Sequence, residues 1–506
     1  MNGSLPVFDL SVLALYLVGT VLFGLWMGRR SGTPENFMAA GGSLPGWAVG
    51  LSIFGTFVSS ISFLALPGKA VSGDWNPFVF SLTIPVAAWL AVRFFVPFYR
   101  RSGAISAYEH LEHRFGSWAR IYAVACYLLT QLGRMGTIMY LVALALHPLT
   151  GWSVRYLILV TGVLVVVYAM FGGITAVIWT DVVQSIVLIG GALACVAILL
   201  FGMPEGPGQI FAMAREHGKF SLGSLAPDLA ASTFWVVLLY GVFMNLQNFG
   251  IDQSFVQRYH TARTDAEAGR SVWTGALLYL PISAFFLFIG TGLYAFYTAR
   301  PDRLPVGLDL ATTADKIFPH FIVAELPAGL TGLVIAAIFA AAQSTVSSSV
   351  NCAATLIGCD IYRRHLKPDA SEREMMGVLR GATLAVGLLG TLAALAMIRI
   401  KSALDVWWDW AGVASGGMLG LFLLGIIARR ARNAAAASGV LAGILVITWM
   451  TVSTKSFWPA ALAGWRSPFH SFMTIVVGTT TILLVGFLVT LLVGPKPGGA
   501  PAHERE

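Results

Sequence analysis

Runs of about twenty apolar residues recur from one end of this 506-residue chain to the other. Each is long enough to cross the ~30 Å hydrocarbon core of a bilayer as a helix. No other feature narrows the fold as far. In lipid every backbone N–H and C=O must be paired internally, so a spanning segment is either a helix or a strand of a closed barrel. The runs are continuous and not alternating, which excludes the barrel. Only 11% of the residues are charged and 57% are hydrophobic, whereas soluble domains carry about 25% charged residues. The expected fold class is an all-α polytopic membrane protein.

About thirteen spans are expected, at approximately 8–28, 45–70, 74–98, 117–147, 153–171, 175–200, 231–257, 271–298, 325–358, 377–398, 403–428, 433–453 and 470–494. The first is followed by Arg29-Arg30 and has neither a basic start nor a small-residue cleavage pattern, so it reads as a retained span and not a signal peptide. Alternating sides from an outside N-terminus puts roughly 20 Lys and Arg residues inside, Arg93, Arg114, Arg258, Arg363 and Arg429 among them, and about 10 outside. The net charge of +8 is thus a positive-inside bias and not a nucleic-acid signal, and the C-terminus falls in the cytoplasm. Residues 204–229 and 299–322 are outer loops with room for small helices, and 495–506 is a Gly/Pro-rich tail. Trp407, Trp408 and Trp410 read as an interfacial belt. Cys126, Cys195, Cys352 and Cys359 fall in or beside spans, at no spacing that suits a disulfide or zinc framework. No Walker A loop and no nucleophile–base constellation is visible, so neither an ATP motor nor an enzyme is expected.

Polar residues inside these spans are the candidate chemistry. Ala341-Ala342-Gln343-Ser344-Thr345-Val346-Ser347-Ser348-Ser349 places hydroxyls deep in an apolar run, with Ser344, Ser347 and Ser348 on one helical face. Hydroxyl oxygens suit a small hard cation. A small-residue packing face, each hydroxyl bonded back four residues, is the other reading. Two spans look discontinuous. The second carries Gly50, Gly55 and then Thr56-Phe57-Val58-Ser59-Ser60-Ile61-Ser62, and the seventh carries Gly241 to Gly250 with Asn245, Gln247 and Asn248. Unwound backbone at that depth is tolerated only against protein or a cavity, and broken helices of this kind hold ion and substrate in inverted-repeat transporters. Arg134 lies midway along its span, where a charge costs about 2.5–3.5 kcal/mol or more. Its fork suits a carboxylate, either a solute's or a structural partner's, and Asp181 is the only obvious buried acid. Asp181, beside Thr180 and Gln184, could take a cation or a proton; Asp252 and Glu109 are expected nearer the inner loops.

Together, Phe37 to Trp47 (FMAAGGSLPGW), Ser59 to Phe63, Gly172-Gly173 through Trp179-Thr180-Asp181-Val182-Val183-Gln184, Val256-Gln257-Arg258-Tyr259 and Ala336 to Asp360 (AAIFAAAQSTVSSSVNCAATLIGCD) resemble the sodium/solute symporter family over nearly the whole chain. Within it the resemblance is nearest to the bacterial sodium-coupled sialic acid transporters. It implies a five-plus-five inverted-repeat (LeuT-type) fold: leading helix 8–28, repeats 45–200 and 231–428, and two further helices in 433–494. It implies a sodium site from the carbonyls of Gly55, Val58 and Ala341 with the hydroxyls of Ser344 and Thr345, and a second from Asp181 with Ser344, Ser347 and Ser348. Ser59, Ser62 and Arg134 match solute-binding positions, and Phe57, Ser81, Asn245, Asn248 and Phe249 line the same pocket. Ser62 stands where the sialic acid members have Thr, Phe57 replaces a Thr, and Pro77 and Ser81 replace an aromatic and a Gln. The expectation is symport of sodium, one ion and a second, with a carboxylated solute such as sialic acid or a similar sugar acid. A neutral sugar, another small organic anion, and a proton-coupled or uncoupled carrier are the alternatives. The chain is expected to work as a monomer in a bacterial inner membrane, its partners being the lipid bilayer and a small solute, with no nucleic acid.

Overall fold

A computed structural model describes residues 5–399 and 403–493, with the backbone alone for Arg30, Ile61, 403–414 and Val493. The tail 495–506 and the side chains of Trp407, Trp408 and Trp410 lie outside the described residues. Among the described residues the fold is helical throughout, apart from one isolated bridge between Leu44 and Ala262.

The principal helices are α1 (Val7–Met27), α2 (Gly46–Phe57), α3 (Ser60–Ser72), α4 (Phe78–Ser102), α5 (Ser117–Thr150), α6 (Val154–Phe201), α7 (Phe234–Ile251) and α8 (Gln253–Thr261). They continue with α9 (Asp265–Ala299), α10 (Leu330–Leu356), α11 (Glu372–Met397), α12 (Ala403–Ile427), α13 (Asn433–Val452) and α14 (Met473–Val493). Ten helices among the described residues are long and apolar enough to cross a membrane, or up to eleven if the bent pair α2–α3 is one span. α6 has 48 residues, about 72 Å of helix at 1.5 Å per residue and far more than a bilayer needs. Gly173 breaks it with φ 54° and ψ −153°. A Cβ on Gly24 would meet both Tyr168 and Thr180, which lie on opposite sides of that break, so the two halves fold back on each other. Divided there, and with α12 admitted, the helices give about thirteen spans. The stretches expected as outer loops carry the helices Gly208–Glu216 and Ala314–Ala324.

α10 is the axis. Every residue from Val334 to Leu356 is buried, because alanines and serines let neighbouring backbones approach closely. α1, α11, α13 and α14 instead present leucines outward, including Leu15, Leu388, Leu445 and Leu491, as lipid-facing surfaces should. α1 is fixed to the axis at its start: Asp9, buried, accepts hydrogen bonds from the backbone N–H groups of Gly329 (2.7 Å) and Gly332 (2.8 Å), which open α10. The helices pack reciprocally. α2 lies on α9 as α7 lies on α4, and α5 meets α12 as α10 meets α6. The four cysteines are free.

Of the two expected breaks, the first falls where the sequence places it. α2 ends at Phe57, Val58 and Ser59 are extended, and α3 sets off 53° away with Ser59 as its N-cap. The second is displaced. The Gly241–Gly250 stretch is regular helix, and the chain turns at Asp252 (φ −71°, ψ 125°), whose carboxylate caps α8 through the Ser254 N–H at 2.7 Å. The glycines of α7 are contact notches: a Cβ on Gly241 would sit 2.7 Å from Thr83 Oγ1, and one on Gly250 3.0 Å from the Phe95 ring.

Candidate functional site

The α2–α3 break positions the first group of oxygens. The last carbonyls of a helix have no onward partner, and the extended Val58–Ser59 pair prevents α3 from supplying one for Gly55 or Val58. This terminus lies against the middle of α10. A Cβ on Gly55 would stand 3.0 Å from both Ser344 Oγ and Ser185 Oγ, so only glycine allows the approach. Thr345 Oγ1 donates to the Ala341 carbonyl at 3.2 Å, which leaves its oxygen lone pairs free. Gly55 and Ser344 thus meet where the α2 terminus lies on α10, and neutral oxygens of this kind suit a small hard monovalent cation.

Asp181 occupies the other side of Ser344. Its Oδ1 accepts from Ser344 Oγ at 2.7 Å, and its Oδ2 accepts from Ser52 Oγ and from Arg258 Nη2 at 2.9 Å. Arg258 also donates to Ser52 Oγ (2.8 Å), the Ser254 carbonyl (2.6 Å) and Ser348 Oγ (2.7 Å). Both side chains of this ion pair are completely buried. Arg258 is thus no inner-loop charge: α8 carries it into the core, where it neutralises Asp181. Ser348 further meets Thr56 Oγ1 at 3.1 Å, Ser347 donates to the Ser344 carbonyl at 3.1 Å, and Ser349 bonds Gln131 Oε1 and the Thr345 carbonyl. Thr345 and Ser349 are the hydroxyls of the patch that bond back four residues, as the packing reading expects.

Arg134 lies beside the same α2 terminus, and its Nη2 donates to the Thr56 carbonyl at 3.2 Å. Among the described residues no carboxylate is in ion-pair contact with it. Asp252, buried and not in an inner loop, is the acid whose field reaches it most strongly, in place of Asp181. Ser59 is buried, and its Oγ accepts from the Ser62 N–H at 3.4 Å; Ser62 lies near the Tyr279 hydroxyl. Phe57 is ringed by aromatics: Tyr279 at 4.5 Å between centroids, Phe249 and Phe255 at 5.9 Å, and Phe80 at 6.3 Å. The Asn245 amide nitrogen donates to the Phe80 carbonyl and Thr83 Oγ1, tying α7 to α4, and its Oδ1 is buried without a partner. Ser81 is buried on α4 and Asn248 is half-buried on α7.

Sequence reasoning did not find Ser52, Tyr279 or the role of Asp252. Ser52 sits one turn before Gly55 on the face that meets α6, a signal available in principle from the helical period.

The sodium:solute symporter family model matches residues 37–443. The chain belongs to the sodium:solute symporter family. It is a multi-pass membrane transporter and not an enzyme. It is 34% identical over 490 residues to the sodium/sialic acid symporter SiaT of Proteus mirabilis, covering 96% of this chain and 95% of that one. It is 34% identical to the sodium/sialic acid symporter NanT of Aliivibrio fischeri (94% and 91% covered) and 29% identical to the sodium/glucose cotransporter of Vibrio parahaemolyticus (88% and 85%). A solved structure described as the substrate-bound, outward-open state of a Na+-coupled sialic acid symporter with a novel Na+-site superposes with a TM-score of 0.89 at 33% identity, covering 97% of this chain and 99% of that one.

Proposed function

We propose that this symporter couples sodium entry to uptake of a carboxylated solute, sialic acid or a similar sugar acid, by alternating access. One observation carries the reading. The Thr56 carbonyl bonded to Arg134 lies between the Gly55 and Val58 carbonyls that, with Ala341, Ser344 and Thr345, would hold the main sodium. Sodium that orders this turn also fixes the Arg134 fork, and the solute carboxylate then docks there, with Ser59, Ser62, Phe57, Ser81, Asn248 and Phe249 around it and Asn245 behind them. Rocking of one helix bundle within this two-halved fold exposes both loads inward. The halves are 45–200 and 231–428, supported by their reciprocal packing, with 8–28 leading and two helices in 433–494 following. The protein acts as a monomer in a bacterial inner membrane, N-terminus outside and C-terminus inside.

A second sodium sits at Asp181 with Ser344, Ser347 and Ser348, on the Oδ1 side, with Ser348 shared between the ion and Arg258. Energetics favour it. A 100 mV inward-negative potential gives about 2.3 kcal/mol per charge, and a tenfold gradient adds about 1.4. One sodium with a monoanion leaves a net of about 1.4 kcal/mol, or roughly tenfold accumulation, whereas two leave about 5. Because Arg258 already neutralises Asp181, the second site is the weaker one.

The test is uptake into proteoliposomes, with sodium replaced by choline in the control, across sialic acid, neutral sugars, amino acids and small carboxylates. Sodium-dependent accumulation of a carboxylate is expected. Acceptance of a neutral sugar alone, which the ring cluster about Phe57 could stack, would remove Arg134 from this role. A sodium Hill slope of one would remove the second site.

A further inference from the structure

A second set of buried polar side chains lies behind Asp181, on the side facing α1. Gln184, one turn beyond Asp181 on α6, is buried, yet neither end of its amide has a hydrogen-bond partner. Thr20 Oγ1 on α1 and Gln343 Nε2 on α10 are buried and unpartnered in the same way. Tyr16 of α1 donates to Gln343 Oε1 at 2.9 Å and lies close to Thr20 and Gln184. Tyr168 approaches the Gln343 carbonyl at 3.5 Å and has Gln184, Thr180 and Ser347 as near neighbours. Three helices thus converge their unspent donors and acceptors on one place, and Ser347 belongs also to the Asp181 set.

Buried polar groups are ordinarily hydrogen-bonded, to protein or to ordered water. The unspent groups here are mixed: amide N–H donors on Gln184 and Gln343, oxygen acceptors on Gln184 and Thr20. A cation would satisfy the oxygens and leave the N–H groups facing it. An anion would do the reverse beside Asp181. Water, which donates and accepts and makes two to four bonds when buried, satisfies both kinds.

We propose that α1 closes a buried hydrated pocket against α6 and α10, and that water held between Gln184, Gln343, Thr20 and Tyr16 steadies the Asp181–Ser347 oxygens for the second sodium. The leading helix is then part of the ion machinery without touching the ion, and Gln184, Gln343, Thr20 and Tyr16 are positioning residues. The pocket stands on the geometry alone; its link to sodium rests on the second-site reading above.

Two measurements on the full chain separate these parts. In nanodiscs, radiolytic hydroxyl labelling oxidises buried side chains that adjoin bound water. Tyr16 and Tyr168 should be labelled in the wild type, and severalfold less in Gln184→Met, which keeps the length and loses both polar ends. Unlabelled tyrosines in the wild type would show the pocket to be dry and overturn the proposal, whatever the sodium stoichiometry. In proteoliposomes, Gln184→Met should raise the half-saturating sodium concentration about tenfold, the scale at which an outer-shell partner acts on a bound ion. Solute KM at saturating sodium should not change, whereas a general packing defect would move both. Reduced labelling with unaltered sodium dependence would overturn the link to the ion. Thr20→Val carries both tests if Gln184→Met does not assemble, and Tyr16→Phe carries them with Tyr168 as the labelled residue.

Discussion

Replacing Arg258 by methionine should make this transporter's stability depend on sodium far more than it does in the wild type. Arg258 is completely buried and its Nη2 lies 2.9 Å from Asp181 Oδ2. Removing one partner of such a pair leaves the other charge unpaired in a low dielectric and costs about 3–5 kcal/mol. Ser52 and Ser344 still donate to the carboxylate, so the lower part of that range applies. In choline the variant should therefore unfold at a markedly lower temperature. In sodium, the ion can take over the charge of the missing guanidinium at the Asp181 set. At a concentration about 100 times its Kd it returns about 2.7 kcal/mol, most of the loss. The assay is thermal unfolding in nanodiscs, in sodium and in choline chloride at equal ionic strength, for wild type, Arg258→Met, Asp181→Asn and the double variant. The sodium-minus-choline difference should be greatest in Arg258→Met and should fall back to the contribution of the main site when Asp181→Asn is added, and the double variant should be more stable in choline than Arg258→Met alone. Equal shifts of Arg258→Met in the two salts would refute the argument, because Asp181 would then not be a place where a cation can sit.

Gly55→Ala should weaken sodium dependence sharply. Its Cβ would stand 3.0 Å from both Ser344 Oγ and Ser185 Oγ, so the α2 terminus must retreat from α10, and the half-saturating sodium concentration in uptake should rise at least tenfold, the scale for disturbing metal ligation. Arg134→Lys keeps the charge and loses the planar fork; carboxylate KM should rise by about one to two orders of magnitude, the worth of a bidentate charged contact, with sodium half-saturation changing less. On the short helix Glu109–Phe115, burial, with Arg114 and His113 nearby, pushes the His110 imidazole down to about 4. The folded form then holds His110 neutral, so its contribution to stability is complete above the unfolded value near 6.5 and is lost as pH falls from there towards 4. His110→Gln should flatten that part of the melting-temperature profile, and an unchanged profile would count against the burial.

The helical class, the spans and the first break were legible because each rests on a local signal: an apolar run of bilayer length, or glycine and serine at mid-depth. The second break was misplaced because Gly241, Gly250 and Asn245 carry the same local signal for a different reason. There the glycines admit Thr83 and Phe95, and the amide ties two helices, facts that depend on which helix lies alongside. Arg258 was misread for a related cause. Charge counting assigns an arginine at the end of an apolar run to the loop, and only the turn at Asp252 sends it back into the core. Asp9 likewise gave no sequence sign that it would cap a helix 320 residues away. Local pattern identified the polar residues inside the spans, and tertiary packing decided which of them are paired.

That pairing bears on why ion and solute would move together. Gly55, Thr56, Phe57 and Val58 form one turn with no onward helix to hold it. Gly55 lies against Ser344 of α10, the Thr56 carbonyl accepts from Arg134, and the turn's one large side chain enters the ring of Tyr279, Phe249, Phe255 and Phe80. A ligand shifts a conformational equilibrium only by the difference in its affinity for the two states. On the proposed reading, sodium promotes solute binding by holding this turn where Arg134 is aimed, and a solute that engages Arg134 holds the same turn for sodium. The coupling is reciprocal by necessity: the factor by which sodium lowers the solute Kd must equal the factor by which the solute lowers the sodium Kd. Isothermal titrations in both orders measure the two factors, and Gly55→Ala should bring both towards one together. If the solute's affinity kept its sodium dependence in that variant, the link would run through some other part of the molecule than the α2 turn.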